Sequence, residues 1–106
     1  MTTFKEKSIG YITVTFRDKA GALASPTVSA EYKILDKATG NTIKDWTALT
    51  TAASIEITVL PADNAIVNAA LDYEEHELIA HGVYTTTTDE VYDSYPFRVK
   101  NLNGVP

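Results

Sequence analysis

Apolar and polar residues alternate with a period of two along most of this chain, and that spacing predicts strands. In YITVTFR (11–17), Ile12, Val14 and Phe16 fall on one face and Tyr11, Thr13, Thr15 and Arg17 on the other. TVSAEYKILD (27–36) turns Val28, Ala30, Tyr32 and Ile34 inward and Glu31 and Lys33 outward. TIKDWTAL (42–49) is a shorter strand that brings in Trp46. SIEITVL (54–60) sets Ile55, Ile57 and Val59 against Glu56 and Thr58, and YPFRVKNL (95–102) sets Tyr95, Phe97 and Val99 against Arg98 and Lys100. Turn residues separate these runs: Gly21 and Pro26 in 18–26, Gly40 and Asn41 in 37–41, TTAA in 50–53, and Pro61 in 61–65. TTTTDE (85–90) reads as a mobile hairpin loop, and 1–8 and 103–106 as flexible tails.

The stretch AALDYEEHELIAH (69–81) fits two periods. Ile66, Val67, Ala70, Leu71 and Leu78 lie near one helical stripe, and Pro61 and Gly82 punctuate a helix over about 63–80. Glu74 and Glu75 interrupt that stripe where a core should continue. The favoured alternative is a short helical turn over 63–69 and a strand over 73–84, on which Glu74, His76, Leu78, Ala80 and Tyr84 share a parity. Residues 91–102 also need an antiparallel partner, which a strand joined through the Thr loop supplies.

At 106 residues the chain suits a single domain, 1–106, with an apolar content of 44% that supports a real core. The absence of cysteine excludes disulfides and thiolate metal sites and fits a reducing compartment. The N-terminus shows no secretory h-region, and no apolar run is long enough for a membrane span. A net charge of −5 argues against a nucleic-acid partner. The charge is uneven: residues 1–53 hold seven Lys/Arg and five Asp/Glu, residues 54–106 two and nine. Such polarity either reflects solubility alone or orients subunits in an assembly.

Both histidines and four carboxylates sit in 69–81, so chemistry would be sought there first. His76 and His81 are five apart, out of phase for one helix face or one strand face, so they make a poor metal pair. Glu74, Glu75 and Glu77 alternate faces, and their acidity reads as a property of the surface. DKATGN (36–41) lacks the ligands of a calcium loop and reads as a β-turn. No nucleophile elbow, phosphate loop or dinucleotide glycine pattern occurs. The sequence therefore predicts no catalytic, cofactor or metal residue. Tyr32, Tyr95 and Trp46 are expected in the core. Tyr11, Tyr84 and Tyr92 are the candidates for an exposed protein interface, where aromatics are favoured.

The order of these elements resembles a fibronectin type III or immunoglobulin-like domain. Residues 12–49 look like strands B, C and C′, SIEITVLPADNAI like strand E and its corner, and YEEHELIAHGVY and YPFRVKNL like F and G. YKILDKATGNTIKDWTAL, SIEITVLPADNAI and the ending YPFRVKNL are also similar to small bacteriophage and prophage virion proteins with a sandwich fold. The resemblance implies a structural or assembly role in the head, neck or tail of a phage particle, with other virion proteins and the chain itself as partners. It implies a location in the virion, or in the host cytoplasm during assembly, and no catalytic residue. The expectation is an all-β, immunoglobulin/fibronectin III-like antiparallel β-sandwich of six to seven strands. Its core would hold Ile12, Val14, Phe16, Tyr32, Ile34, Trp46, Ile55, Ile57, Val59, Leu78, Phe97 and Val99. The protein would be neither an enzyme nor a cofactor, nucleic-acid or membrane binder. A module for carbohydrate or another surface ligand is the alternative.

Overall fold

The alternating runs become strands in the computed structural model, which describes residues 2–18, 20–84 and 89–103. In chain order they are β1 (Thr2–Lys5), β2 (Gly10–Thr15), β3 (Ser29–Asp36), β4 (Thr42–Leu49), β5 (Ser54–Val59), β6 (Tyr73–Val83) and β7 (Glu90–Lys100). A 3-10 turn, Pro61–Asn64, follows β5. The fold is all-β. Five strands form one sheet in the order β1-β7-β6-β3-β4, and β2 pairs with β5 in a second. Residues from both sheets share one core, with Ile12, Val14, Ile57 and Val59 from the small sheet and Tyr32, Ile34, Leu78, Ala80, Phe97 and Val99 from the large one. Each large aliphatic or phenylalanine side chain buried in full there contributes about 1.5–3 kcal/mol over exposure.

The ambiguous stretch is strand. β6 runs from Tyr73 to Val83, paired on one side with β3 and on the other with β7. The helical turn expected over 63–69 shrinks to Pro61–Asn64. Backbone pairing outweighs the helical stripe because β6 lies between two strands and would otherwise leave both their edges unpaired.

Four expectations are corrected. The segment 1–8 is not a loose tail: Thr2–Lys5 is a strand that runs parallel to β7, with Thr2 opposite Phe97 and Lys5 opposite Lys100. The large sheet is therefore mixed rather than purely antiparallel. Phe4 anchors β1, its ring 5.4 Å from that of Phe97. Val28 precedes β3 and is exposed, since the strand starts at Ser29. Trp46 is not core; 37% of its surface is exposed. Thr47 opposes the inward Tyr32, so its neighbour Trp46 falls on the outer face, beside register shifts flanking Ile34. Finally, β7 runs from Glu90 to Lys100, so the alternating run expected at 95–102 covers only its second half and overshoots its end by two residues. Thr85–Thr88 of the expected hairpin loop, Lys19 and residues 104–106 of the expected C-terminal tail lie outside the described residues.

Candidate functional site

Three places on this frame gather polar or aromatic groups, and β6 builds two of them. Strand parity sends Glu74, His76, Leu78 and Ala80 to the interior and Glu75, Glu77, Ile79 and His81 to the outer face. The two histidines occupy opposite faces, as their spacing requires.

On the inner face, Asp36, Glu74 and His76 are 3%, 2% and 0% exposed. Asp36 is the cross-strand partner of His76. His76 Nε2 lies 2.6 Å from Glu74 Oε1, and the ring stands edge-on to Phe97. The Glu74 carboxylate also accepts the Val67 amide at 2.9 and 3.0 Å and the Asn68 amide at 2.8 Å. Asp36 Oδ2 accepts the Thr39 hydroxyl at 2.7 Å, inside the turn that Gly40 closes at φ 75°. The same end of the molecule collects further buried polar groups. Glu6 Oε1 accepts the Leu102 amide, Asn64 Nδ2 donates to Ser8 O, and Asn101 Nδ2 donates to Ala69 O and Leu71 O. These groups fasten loops that have no ladder of their own. Glu74 is therefore not a surface charge, contrary to the sequence expectation.

On the outer face, His81 bridges two strands. Its Nδ1 lies 2.9 Å from Glu31 Oε1 and its Nε2 3.0 Å from Glu90 Oε1. A ring with N–H on both nitrogens donates to both carboxylates, whereas a neutral ring donates to one. Tyr92 stacks on the imidazole at 4.3 Å with planes 8° apart, Trp46 meets it edge-on at 5.9 Å, and Lys33 Nζ sits 5.1 Å over the indole. A row of Trp46, His81 and Tyr92 thus crosses the large sheet.

The third place is the free edge of β2. The Phe16 amide donates to Ala53 O in register with the β2–β5 ladder. Hydrogen-bonded pairs alternate along an antiparallel ladder, so Gly10, Ile12 and Val14 bond β5, while the backbone groups of Tyr11, Thr13 and Thr15 point away from it. Those of Thr15 meet the Tyr95 hydroxyl, which lies 3.1 Å from its amide and 3.3 Å from its carbonyl. Beside Tyr11 and Thr13 opens a groove of about 590 Å³ whose other walls include Thr2, Tyr95 and Phe97. The other edges carry protection: β1 has four residues, β4 has register shifts and the charges of Lys44 and Asp45, and β5 has Glu56. β2 has neither charge nor proline.

Of the three tyrosines expected at an interface, Tyr11 on the β2 edge and Tyr92 in the aromatic row are exposed at 54% and 62%. Tyr84 is not: it is buried, because its hydroxyl reaches back to the carbonyls of Arg17 and Ala24 at 3.0 and 2.9 Å and closes the β2–β3 loop. Burial, then the charges of Asp18 and Asp89, push its hydroxyl pKa above the usual 10.0. The sequence reading missed the inner cluster. Its signal was parity, since Asp36 and Glu74 alternate in step with Ile34 and Leu78. Comparison of the chain with protein-family models, curated proteins and solved structures gives no match.

Proposed function

We propose that this chain is a non-enzymatic structural or assembly protein of a phage or prophage particle, an immunoglobulin-like sandwich that acts through protein contacts. The strand order supports the fold half of this reading. With β2 to β7 taken as B, C, C′, E, F and G, the sheets become B-E and G-F-C-C′, the pairing that immunoglobulin-type sandwiches use. β1 then joins G in parallel at the edge of the larger sheet. The function half rests on one observation, the uncharged β2 edge, where the backbone of Tyr11 and Thr13 bonds no strand among the described residues. An extended strand of a neighbouring virion protein fits such an edge by main-chain hydrogen bonding. None of the described residues that line the groove is charged, which fits a strand that is uncharged where it pairs.

Two tests apply. Capsid, portal or tail genes are expected beside its own, and a metabolic operon in their place refutes the reading. Thr13→Pro removes an N–H that the β2–β5 ladder does not use, so it should leave the fold intact while abolishing incorporation into particles. Unchanged incorporation rules out the β2 edge.

The aromatic row favours a second reading, a module for carbohydrate or another surface ligand. Trp46 and Tyr92 offer apolar faces, and Glu31 and Glu90 offer acceptors beside them. Trp46 is the one tryptophan of the chain, so its fluorescence reports on that face directly. Saturable quenching across a saccharide panel supports this reading, and a flat response removes it.

A further inference from the structure

The inner cluster carries more than loop fastening. One ligand-capable atom from each of Asp36, Glu74 and His76 lies within 4.8 Å of the others. Two carboxylates are buried here, and the ion pairs among the described residues place Lys37 on Glu75 and Lys44 on Asp63, leaving neither Asp36 nor Glu74 a lysine or arginine. A charged imidazole cancels one of the two negative charges. The remaining charge sits in the interior, where an uncompensated ion is costly. Two buried polar atoms in the cluster, Asp36 Oδ1 and His76 Nδ1, also lack a hydrogen-bond partner among the described residues. Groups buried this deeply almost always find one.

We propose that Asp36, Glu74 and His76 form a binding site for a divalent first-row transition-metal ion such as Zn²⁺. Two carboxylates, a neutral imidazole and a divalent ion sum to zero charge, which removes the interior imbalance. The imidazole nitrogen selects against Mg²⁺ and Ca²⁺, which take oxygen sets. Ligand atoms about 2.0–2.2 Å from a tetrahedral ion sit roughly 3.4 Å apart, so binding would draw in the pairs that stand wider within the 4.8 Å span and part His76 Nε2 from Glu74 Oε1, now 2.6 Å apart. The site is shut off from solvent, so the ion would be structural and its fourth position would face protein, with no open place for substrate. It would tie the β3–β4 turn, through Asp36, to the 65–72 loop, through Glu74.

Calorimetry on chelator-treated protein tests this, with ZnCl₂ as the probe and CoCl₂ as a spectroscopic stand-in. One Zn²⁺ per chain is expected, with a thermal midpoint several degrees higher than in chelator and visible cobalt absorption of tetrahedral form. Asp36→Asn, which keeps size and folding contacts, should weaken Zn²⁺ at least tenfold. His81→Gln should leave it unchanged. Two results overturn the proposal. One is the absence of stoichiometric binding up to millimolar zinc, which leaves the cluster a proton- or water-bridged network. The other is binding that survives Asp36→Asn and disappears in His81→Gln, which moves the ion to the outer carboxylates. Neither result bears on the β2 edge.

Discussion

His76 and His81 sit five residues apart on one strand, each with a carboxylate at hydrogen-bond distance, and they inhabit opposite physical regimes. His76 lies at 0% exposure between Glu74 and Phe97. His81 is itself only 8% exposed, but it spans Glu31 and Glu90, whose side chains are 36% and 41% exposed, under a stacked tyrosine. Coulomb attraction at a given distance is several-fold stronger in the interior than at the surface, and the cost of losing a partner grows in step. The same pair of residue types thus ties down buried loops on one face and joins half-exposed carboxylates on the other.

The largest break in this comparison is Glu74→Ala. It strands the Val67 and Asn68 amides and His76 Nε2 at once. A loss of about 3–5 kcal/mol is expected in urea unfolding, the range for breaking a buried charged pair. A loss below about 1 kcal/mol would place Glu74 in an environment as wet as that of Glu31.

Next in size is Gly82→Ala, at the other end of β6, where the interior is apolar. A Cβ at this position would meet Pro26 Cγ at 2.8 Å and the Phe16 ring at 3.0 Å. Overpacking of this kind costs about 1–3 kcal/mol. Because no charge is involved, added salt should leave the penalty unchanged, which chemical unfolding at two ionic strengths can check.

Much of this fold was legible in alternation, since β2, β3 and β5 pair apolar with polar positions cleanly enough to set boundaries within two residues, whereas β6 fitted two periods and was settled by the need of 91–102 for a partner. The failures share a cause: period-two patterning predicts which side chains share a face, not which face a polar residue is permitted to occupy. Glu74 and His76 share parity with Leu78, but a glutamate and a histidine near a strand end look like a solvated edge until the 65–72 loop is seen to cover them. Trp46 went the other way. Its size argued for burial, whereas the opposition of Thr47 to Tyr32 fixed it outside. Thr2–Lys5 was too short to alternate, and its pairing with β7 is parallel and distant in sequence. The β2 edge was the least visible of all, because it depends on which backbone groups lack a neighbouring strand.

Tyr84→Phe probes the loop closure that hides Tyr84 from the surface. Loss of the hydroxyl leaves the carbonyls of Arg17 and Ala24 without that donor and should cost about 1 kcal/mol. The pH dependence has a definite sign. The folded pKa lies above the unfolded value of 10.0, so the folded state holds the proton more tightly. Stability is therefore constant in this respect below pH 10, and declines as pH rises through 10 towards the folded pKa. Phenylalanine should remove that decline. An identical alkaline limb in both proteins would assign the decline to another group.

The smallest effect is expected at His81, and it sharpens the comparison most. His81→Gln keeps a polar side chain but gives up a ring stacked on Tyr92 and two contacts to half-exposed carboxylates. Exposed ion pairs contribute about 0.2–1 kcal/mol each and aromatic stacking a similar amount, offset by relief of ordering. A total loss within about 1 kcal/mol is expected. Salt separates the two faces further. At about 0.5 M NaCl the screening length falls below 5 Å, so the His81→Gln penalty should shrink, whereas the Glu74→Ala penalty should persist because solvent ions do not reach it. Trp46 fluorescence should shift in His81→Gln, since the indole loses its edge-on neighbour, and should remain unchanged in Tyr84→Phe. A His81→Gln penalty of 3 kcal/mol that ignored salt would mean that the outer face is held as tightly as the inner one, and the row of Trp46, His81 and Tyr92 would then be a second structural clasp instead of a surface for a ligand.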